Sequence, residues 1–374
     1  MEWAEELRGT AVCYAPARMS FISGPPRELL LPDGFRFKHG QIIAPFTIVY
    51  ETFGTLNADR SNAILVCHAL SASAHAAGKY TEDENEKPGW WDGLIGHGKG
   101  IDLDRFFVIC VNFPGSPFGT TAPKSIDSAT GTPYGSRYPW PTIEDMVESQ
   151  RLVLEHLGIT HLRAIAGGSL GGMQVLMWAA MHPEFADAII AMASGPAVPV
   201  TGISWHILGR KIIESDHHFR GGDYYDDPEP LRGLQVARML GHMTYLSQES
   251  LQRKFGRRRR GETRQFEIDS YFEYQGKKFA ALYDANSYIR VQAAMDEMDL
   301  DEQYGDLRAA FARWKGKTLL VSFDTDWLFP PSESERVAAA MQSATHIEIA
   351  SANGHDTFLI DFHLIEELVR GFLT

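Results

Sequence analysis

Ser169 stands between two glycine pairs in GGSLGGMQ (167–174), directly after the apolar run LRAIA and before VLMWAAMHP. Gly167-Gly168-Ser169-Leu170-Gly171 fits G-x-S-x-G, in which a sharp strand-to-helix turn lifts a serine hydroxyl clear of a sheet. Bulky neighbours do not fit such a turn. The following helix brings the positive end of its dipole to the serine, where acyl transfer develops negative charge. The plainer alternative is a tight turn in any α/β domain. Serine is a weak nucleophile at neutral pH, so the chemistry also needs a base and a carboxylate to orient it. On scaffolds carrying this elbow the chain order is serine, acid, histidine. After Ser169, Asp324 and Asp326 close the run LLVSFDTD, and His355 follows the last apolar run, in ANGHDTF. Either aspartate satisfies the order. His68, His75 and His97 precede the serine and suit structural or pocket-lining positions. Two backbone N–H groups would receive the oxyanion: that of Leu170, next after the serine, and that of Leu70 in CHALSASAH (67–75).

These residues need a scaffold, and the chain supplies one. Apolar, β-branched runs recur at 46–54, 62–70, 106–113, 162–169, 188–195, 317–326 and 345–355, each followed by Gly, Pro or Ser. Near-continuous apolar runs mark strands covered on both faces, hence a mostly parallel sheet with helices on both sides. TIEDMVESQRLVLEHLG (142–158) reads as one such helix, with Thr142 as N-cap, acids in its first turn and a closing glycine. The alternation stops between Val198 and Leu300, where helix-like pieces such as SWHILGRKIIES and PLRGLQVARMLGHMTYL dominate. The organisation expected is an α/β core in two parts, 1–197 and 301–374, interrupted by a helical insertion over 198–300. Arg257–Arg260 lie in that insertion; a solvated loop is the first reading and attraction of an anionic donor the second.

The formal net charge of -13 excludes a general nucleic-acid binder, which needs a surplus of Lys and Arg. With 44% hydrophobic and 11% aromatic residues over 374 positions, the chain is globular, with one large core. Its cysteines, Cys13, Cys67 and Cys110, lack thiolate-zinc spacing, and their small odd number suits a reducing compartment. The amino-terminal MEWAEELRGTAVCYAPARMSF has no basic stretch followed by an apolar core, and no run approaches the roughly 18–20 apolar residues of a membrane helix. The expectation is a cytoplasmic protein with no membrane partner, no nucleic acid and no metal.

Taken jointly, GGSLGGMQ, CHAL, GWWDGLIG (89–96), GKGIDLDRFFVIC (98–110), GGDYY (221–225), GHMTYLS (241–247), KFGR (254–257), YQGKKF (274–279), DANSY (284–288), TDWLFPP (325–331) and GHDTFL (354–359) resemble the homoserine O-acetyltransferase family. These blocks run from about residue 45 to the carboxyl terminus and are far more specific together than the elbow alone. The resemblance implies an α/β-hydrolase fold with a helical lid, commonly a homodimer. It implies acyl transfer from acetyl-CoA or succinyl-CoA, as co-substrate, to the homoserine hydroxyl through an acyl-serine, a step of methionine biosynthesis. By position it assigns the nucleophile to Ser169, the base to His355 and the acid to Asp326, the aspartate of the DWLF block. It further assigns Arg210 to the amino acid's carboxylate and Asp356 to its ammonium.

The chain departs from the family pattern in two places. Ser71-Ala72 replaces the usual Thr-Gly or Ser-Gly after HAL, and NFPGSPFGTTAP (112–123) replaces a Gly-Gly-Cys-x-Gly-Ser/Thr stretch; the second borders the pocket and bears on the acceptor. For the donor, the elbow and CHAL blocks lean towards the succinyl branch. DWLFPP leans towards acetyl, because the succinyl branch tends to carry a basic residue where this chain has Leu328. Acetyl ranks first. The rivals are a serine acceptor, a plain esterase or thioesterase, and a binding protein without catalysis.

Overall fold

The computed structural model describes residues 20–374 except 228 and 230; Cys13 and the amino-terminal stretch read above lie outside the described residues. Its centre is a sheet of eight strands. In chain order these are β1 (Arg27–Leu31), β2 (Phe46–Phe53), β3 (Ala63–Cys67), β4 (Phe107–Val111), β5 (Ala164–Gly168), β6 (Ala188–Met192), β7 (Lys317–Phe323) and β8 (Ala344–Ile349). Across the sheet they lie β1-β2-β4-β3-β5-β6-β7-β8. β2 runs antiparallel to both its neighbours. Every other pairing is parallel. This is the α/β-hydrolase fold.

β3, β4, β5 and β6 are buried at every residue, as continuous apolar runs require of strands covered on both faces. The pleat divides them between two apolar layers. Leu65 and Cys67 of β3 join one with Met146 and Trp178, while Ile64 and Val66 join the other with Trp91 and Phe358. Each fully buried Leu, Ile or Phe contributes about 1.5–3 kcal/mol of transfer free energy.

On the first face, α1 (Ile143–His156) opens as expected at Thr142, whose hydroxyl accepts from the Asp145 N–H while the Asp145 carboxylate accepts from the Thr142 N–H. Such a reciprocal cap is worth about 1 kcal/mol. α2 (Leu170–Met181) is buried along all but its last residue. On the other face, α12 (Phe362–Leu373) turns Ile365, Leu368, Val369 and Phe372 inward at helical spacing.

Between β6 and β7 the described chain contributes no strand to the sheet. It forms α3 (Val200–Glu214), α4 (Arg232–Tyr245), α5 (Gln248–Lys254), α6 (Glu267–Ala280), α7 (Ala285–Glu297), α8 (Leu300–Tyr304) and α9 (Leu307–Ala310). α10 (Pro331–Ala340) and α11 (Thr357–Ile360) follow β7 and β8. Leu234, Ala237, Tyr283 and Tyr288 of the helical segment bury into the same apolar layer as Met146 and Trp178. β1 was not read from the sequence: RELLL is short, and most of its residues face solvent at the sheet edge.

Candidate active site

Ser169 sits between β5 and α2 with φ 57° and ψ −128°, a conformation that a side chain makes costly. Its N–H donates to Met192 O at 2.9 Å and its carbonyl accepts from Met173 N–H at 3.0 Å, which hold the turn. The glycines around it answer to close contacts. A Cβ on Gly171 would strike the Cys67 carbonyl, one on Gly168 the Phe358 ring, and one on Gly167 would come within 2.6 Å of the Gly171 backbone. With no side chain at these positions, α2 packs directly on the end of β3.

Two loops at the carboxyl ends of their strands complete the constellation. Asp326 lies past β7 and His355 in the turn after β8. His355 Nε2 is 2.8 Å from Ser169 Oγ. His355 Nδ1 is 2.8 Å from Asp326 Oδ2. A carboxylate only accepts, so Nδ1 carries the proton and Nε2 presents its lone pair to the serine hydroxyl. The other Asp326 oxygen accepts from the N–H groups of Leu328 at 2.9 Å and Phe329 at 3.0 Å. Asp324 is engaged elsewhere, with Oδ1 accepting from Ser351 N–H at 2.9 Å. Geometry therefore separates the two aspartates. Ser169, His355 and Asp326 are 8%, 3% and 2% exposed, so water reaches them poorly. Phe329 and Phe358 flank the imidazole at ring distances of 5.8 and 5.7 Å. Burial alone would lower the His355 pKa; the Asp326 charge and hydrogen bond, with Asp356, outweigh it and raise the imidazole above its ordinary value.

Leu170 is the first residue of α2, and Leu70 follows β3 by three positions. Neither N–H meets an acceptor among the described residues, as an oxyanion site requires.

Arg210 does not present a free guanidinium. Its Nη1 is 2.7 Å from Asp296 Oδ2, an ion pair in distance without hydrogen-bond alignment. The other Asp296 oxygen lies 2.6 Å from His206 Nδ1. A second guanidinium, that of Arg238 on α4, is less engaged. Its Nε and Nη1 are buried without a partner, and it lies 5.1 Å from the Tyr245 ring and 4.4 Å from the Phe279 ring. Tyr245 in turn is 6.1 Å from the His355 ring. Asp356, enclosed around its carboxyl, is pushed up to about 6 by burial, with His355, Arg238 and Lys254 drawing it back down and Asp326 adding to the rise. Arg238 and Tyr245 were overlooked in the sequence although a signal existed. They stand seven apart in ARMLGHMTY, two helical turns and therefore one face.

The three histidines that precede the serine in the chain lie outside this set of hydrogen bonds. His97 pairs with Asp104 at 2.6 Å on the surface, and His75 with Glu51 at 3.0 Å. His68 is buried against Phe113. The Arg257–Arg260 tract is largely engaged locally: Arg258 pairs with Glu267 at 2.7 Å, Arg259 lies over Phe266 at 4.4 Å and Arg260 reaches Ser270 at 3.3 Å. Among the described residues no three His, Cys, Asp or Glu side chains are grouped to hold a metal ion, and no helix is long and apolar enough to cross a membrane. Burial raises the thiols of Cys67 and Cys110, so neither is a poised nucleophile. A small enclosed cavity of about 20 Å³ lies beside Tyr245, bounded by His206, Tyr288, Gln292 and Leu328.

The α/β-hydrolase fold family matches residues 62–361. A homoserine O-succinyltransferase of Burkholderia mallei is 45% identical over 364 residues, 93% of this chain and 95% of that protein. The crystal structure of a homoserine O-acetyltransferase from Bacillus anthracis superposes with a TM-score of 0.87 at 30% identity, covering 95% of this chain and 98% of that one. The crystal structure of esterase E22 does so at 0.87 and 29% identity, covering 94% of this chain and 100% of that one.

Proposed function

The chain belongs to the homoserine O-acyltransferase family within the α/β-hydrolase fold, and we propose that it moves an acetyl group from acetyl-CoA to the hydroxyl of L-homoserine through an acetyl-Ser169 intermediate. The observation that carries this reading is the buried Ser169–His355–Asp326 set, with 2.8 Å at each link, together with Arg238, which leads to it through Tyr245 and keeps two buried nitrogens without a hydrogen-bond partner.

In the first half-reaction Ser169 Oγ attacks the thioester carbonyl as His355 Nε2 takes its proton. The Leu70 and Leu170 N–H groups receive the oxyanion, the C–S bond breaks, and the CoA thiolate leaves with the proton from His355. In the second, His355 takes the proton of the homoserine hydroxyl, that oxygen attacks the acyl-serine, and the proton returns to Ser169. Arg238 holds the acceptor's carboxylate in place of Arg210, because a guanidinium already paired with Asp296 has less to offer an incoming anion. Asp356 holds the ammonium. The helical segment between β6 and β7 acts as the lid that keeps water from the acyl-serine. This assigns the chain a step in methionine biosynthesis.

Leu328 favours acetyl as the donor. It is a buried apolar side chain at the position where the succinyl branch of the resembled family tends to carry a basic residue. Succinyl-CoA is the second reading, favoured by the 45% identity to the Burkholderia succinyltransferase. The likeness to esterase E22 favours a third, hydrolysis of the acyl-serine by water. CoA release measured with acetyl-CoA and succinyl-CoA, each with homoserine, serine or no acceptor, separates them. A single-equivalent burst from acetyl-CoA that becomes sustained turnover only with homoserine supports the proposal; sustained release without an acceptor supports the esterase.

A further inference from the structure

The two carbonyls that flank the Leu70 N–H are each held by a side chain, and neither side chain has been assigned a role. His68 Nδ1 lies 2.9 Å from Ala69 O. Since a carbonyl only accepts, Nδ1 carries the proton. Tyr283 donates its hydroxyl to Leu70 O at 2.7 Å. The Ala69 carbonyl and the Leu70 N–H belong to one planar trans peptide and point in opposite directions, so fixing the oxygen fixes the N–H. Fixing the Leu70 carbonyl restrains the next peptide as well, which leaves little freedom at Leu70.

His68 is an expensive residue for its location. It is fully buried, stacked on Phe113 at 4.4 Å, and its Nε2 has no partner. Burial lowers its pKa to about 4, so the ring is neutral at working pH. A phenyl ring would fill the same space without a stranded acceptor, so the imidazole is destabilising except for its bond to Ala69. Tyr283 stands between α6 and α7, stacked on Phe279 at 4.6 Å. Its hydroxyl crosses from the helical segment to the loop after β3.

We propose that His68 and Tyr283 are positioning residues of the oxyanion hole, clamping the Ala69-Leu70-Ser71 backbone so that the Leu70 N–H points at the acyl oxygen on Ser169. Through Tyr283 the hole is complete only while the helical segment is docked on the sheet. The inference rests on the reading of Leu70 and Leu170 as the oxyanion donors.

The test uses the full chain with H68F, H68N, Y283F and S169A, following pre-steady-state CoA release from acetyl-CoA, its concentration dependence, and the melting midpoint. Removing a whole oxyanion donor costs about 10²–10³ in rate, so misaiming one should cost about tenfold or more in H68F and Y283F. The KM for acetyl-CoA should stay within about twofold. H68F should melt at or above the wild type, and H68N, whose amide nitrogen stands near the place of Nδ1, should recover most of the rate. Wild-type acylation in H68F and Y283F alongside an inert S169A overturns the clamp while leaving the nucleophile in place. A lower melting midpoint in H68F with no recovery in H68N assigns the ring to packing and also overturns it. Turnover by S169A defeats the underlying reading instead.

Discussion

Asp326 divides its carboxylate between His355 and the turn that follows it: Oδ2 meets the imidazole at 2.8 Å while Oδ1 accepts two backbone N–H groups, from Leu328 and Phe329. The carboxylate cannot swing without losing both. It therefore fixes the tautomer and the plane of His355, and through them the direction of the lone pair facing Ser169. The same turn places Leu328 at the small cavity beside Tyr245.

Asp326→Asn should lower kcat for CoA release by about 10³–10⁴, because the amide favours the wrong imidazole tautomer. Asp324→Asn removes a charge but keeps an oxygen that can accept from the Ser351 N–H, and should stay within about tenfold of wild type. Steady-state kinetics on the two variants decide; the opposite ranking would move the acid role to Asp324.

His355 accepts a proton only when neutral, and its pKa is raised in the folded chain. The acylation rate should therefore rise with pH through an apparent pKa above the ordinary imidazole value of about 6.5. Single-turnover CoA release against pH measures it. A profile flat from weakly acidic to weakly basic pH would remove His355 as the base.

Asp356 titrates near 6, so its hold on the substrate ammonium should fail below that pH. KM for homoserine should climb on acidification while the acylation burst keeps the profile set by His355. The sign for stability is the reverse of the usual carboxylate. The folded chain binds the proton more tightly than the unfolded one, so Asp356 is neutral for stability below about 4 and destabilising above about 6. Asp356→Asn should melt higher than wild type at neutral pH, with the gain vanishing at acid pH in a melting series.

Arg238→Ala should raise KM for homoserine by about 10–100-fold, the loss of charge-assisted hydrogen bonds to a carboxylate, with the CoA burst preserved. Arg210→Ala leaves Asp296 with His206 alone and should act mainly on the melting temperature. Burst and acceptor-titration kinetics on both variants check this. Impaired homoserine use in Arg210→Ala with normal use in Arg238→Ala would restore the carboxylate role to Arg210.

Ser169 and His355 were legible in the sequence because each has a local signature: glycines forced by contact with Cys67 and Phe358 around one, a loop after the last apolar run around the other. Chain order left Asp324 and Asp326 open, and only the resemblance of the DWLF block singled out Asp326. Both stand in the same loop after β7, and only the paths of two loops in space decide which carboxylate meets an imidazole 29 residues away. Arg210 and Arg238 are a harder case of the same kind. Both lie on helices of the segment 198–300, and what separates them is a close ion pair: Asp296 stands 2.7 Å from one, while two nitrogens of the other are buried without a hydrogen-bond partner. The buried strands declared themselves by apolar runs. The edge strand Arg27–Leu31, half solvated, had no such pattern to show.

The central claim is a covalent acetyl-serine, and intact-protein mass spectrometry reads it directly. The chain is mixed with acetyl-CoA and no acceptor, quenched in acid, and the modified peptide is mapped. The account predicts one acetyl group on Ser169, one equivalent of CoA released with it, discharge of the label on adding homoserine, and no label in S169A. CoA release that waits for homoserine, with no acetylated chain at any time, would contradict it.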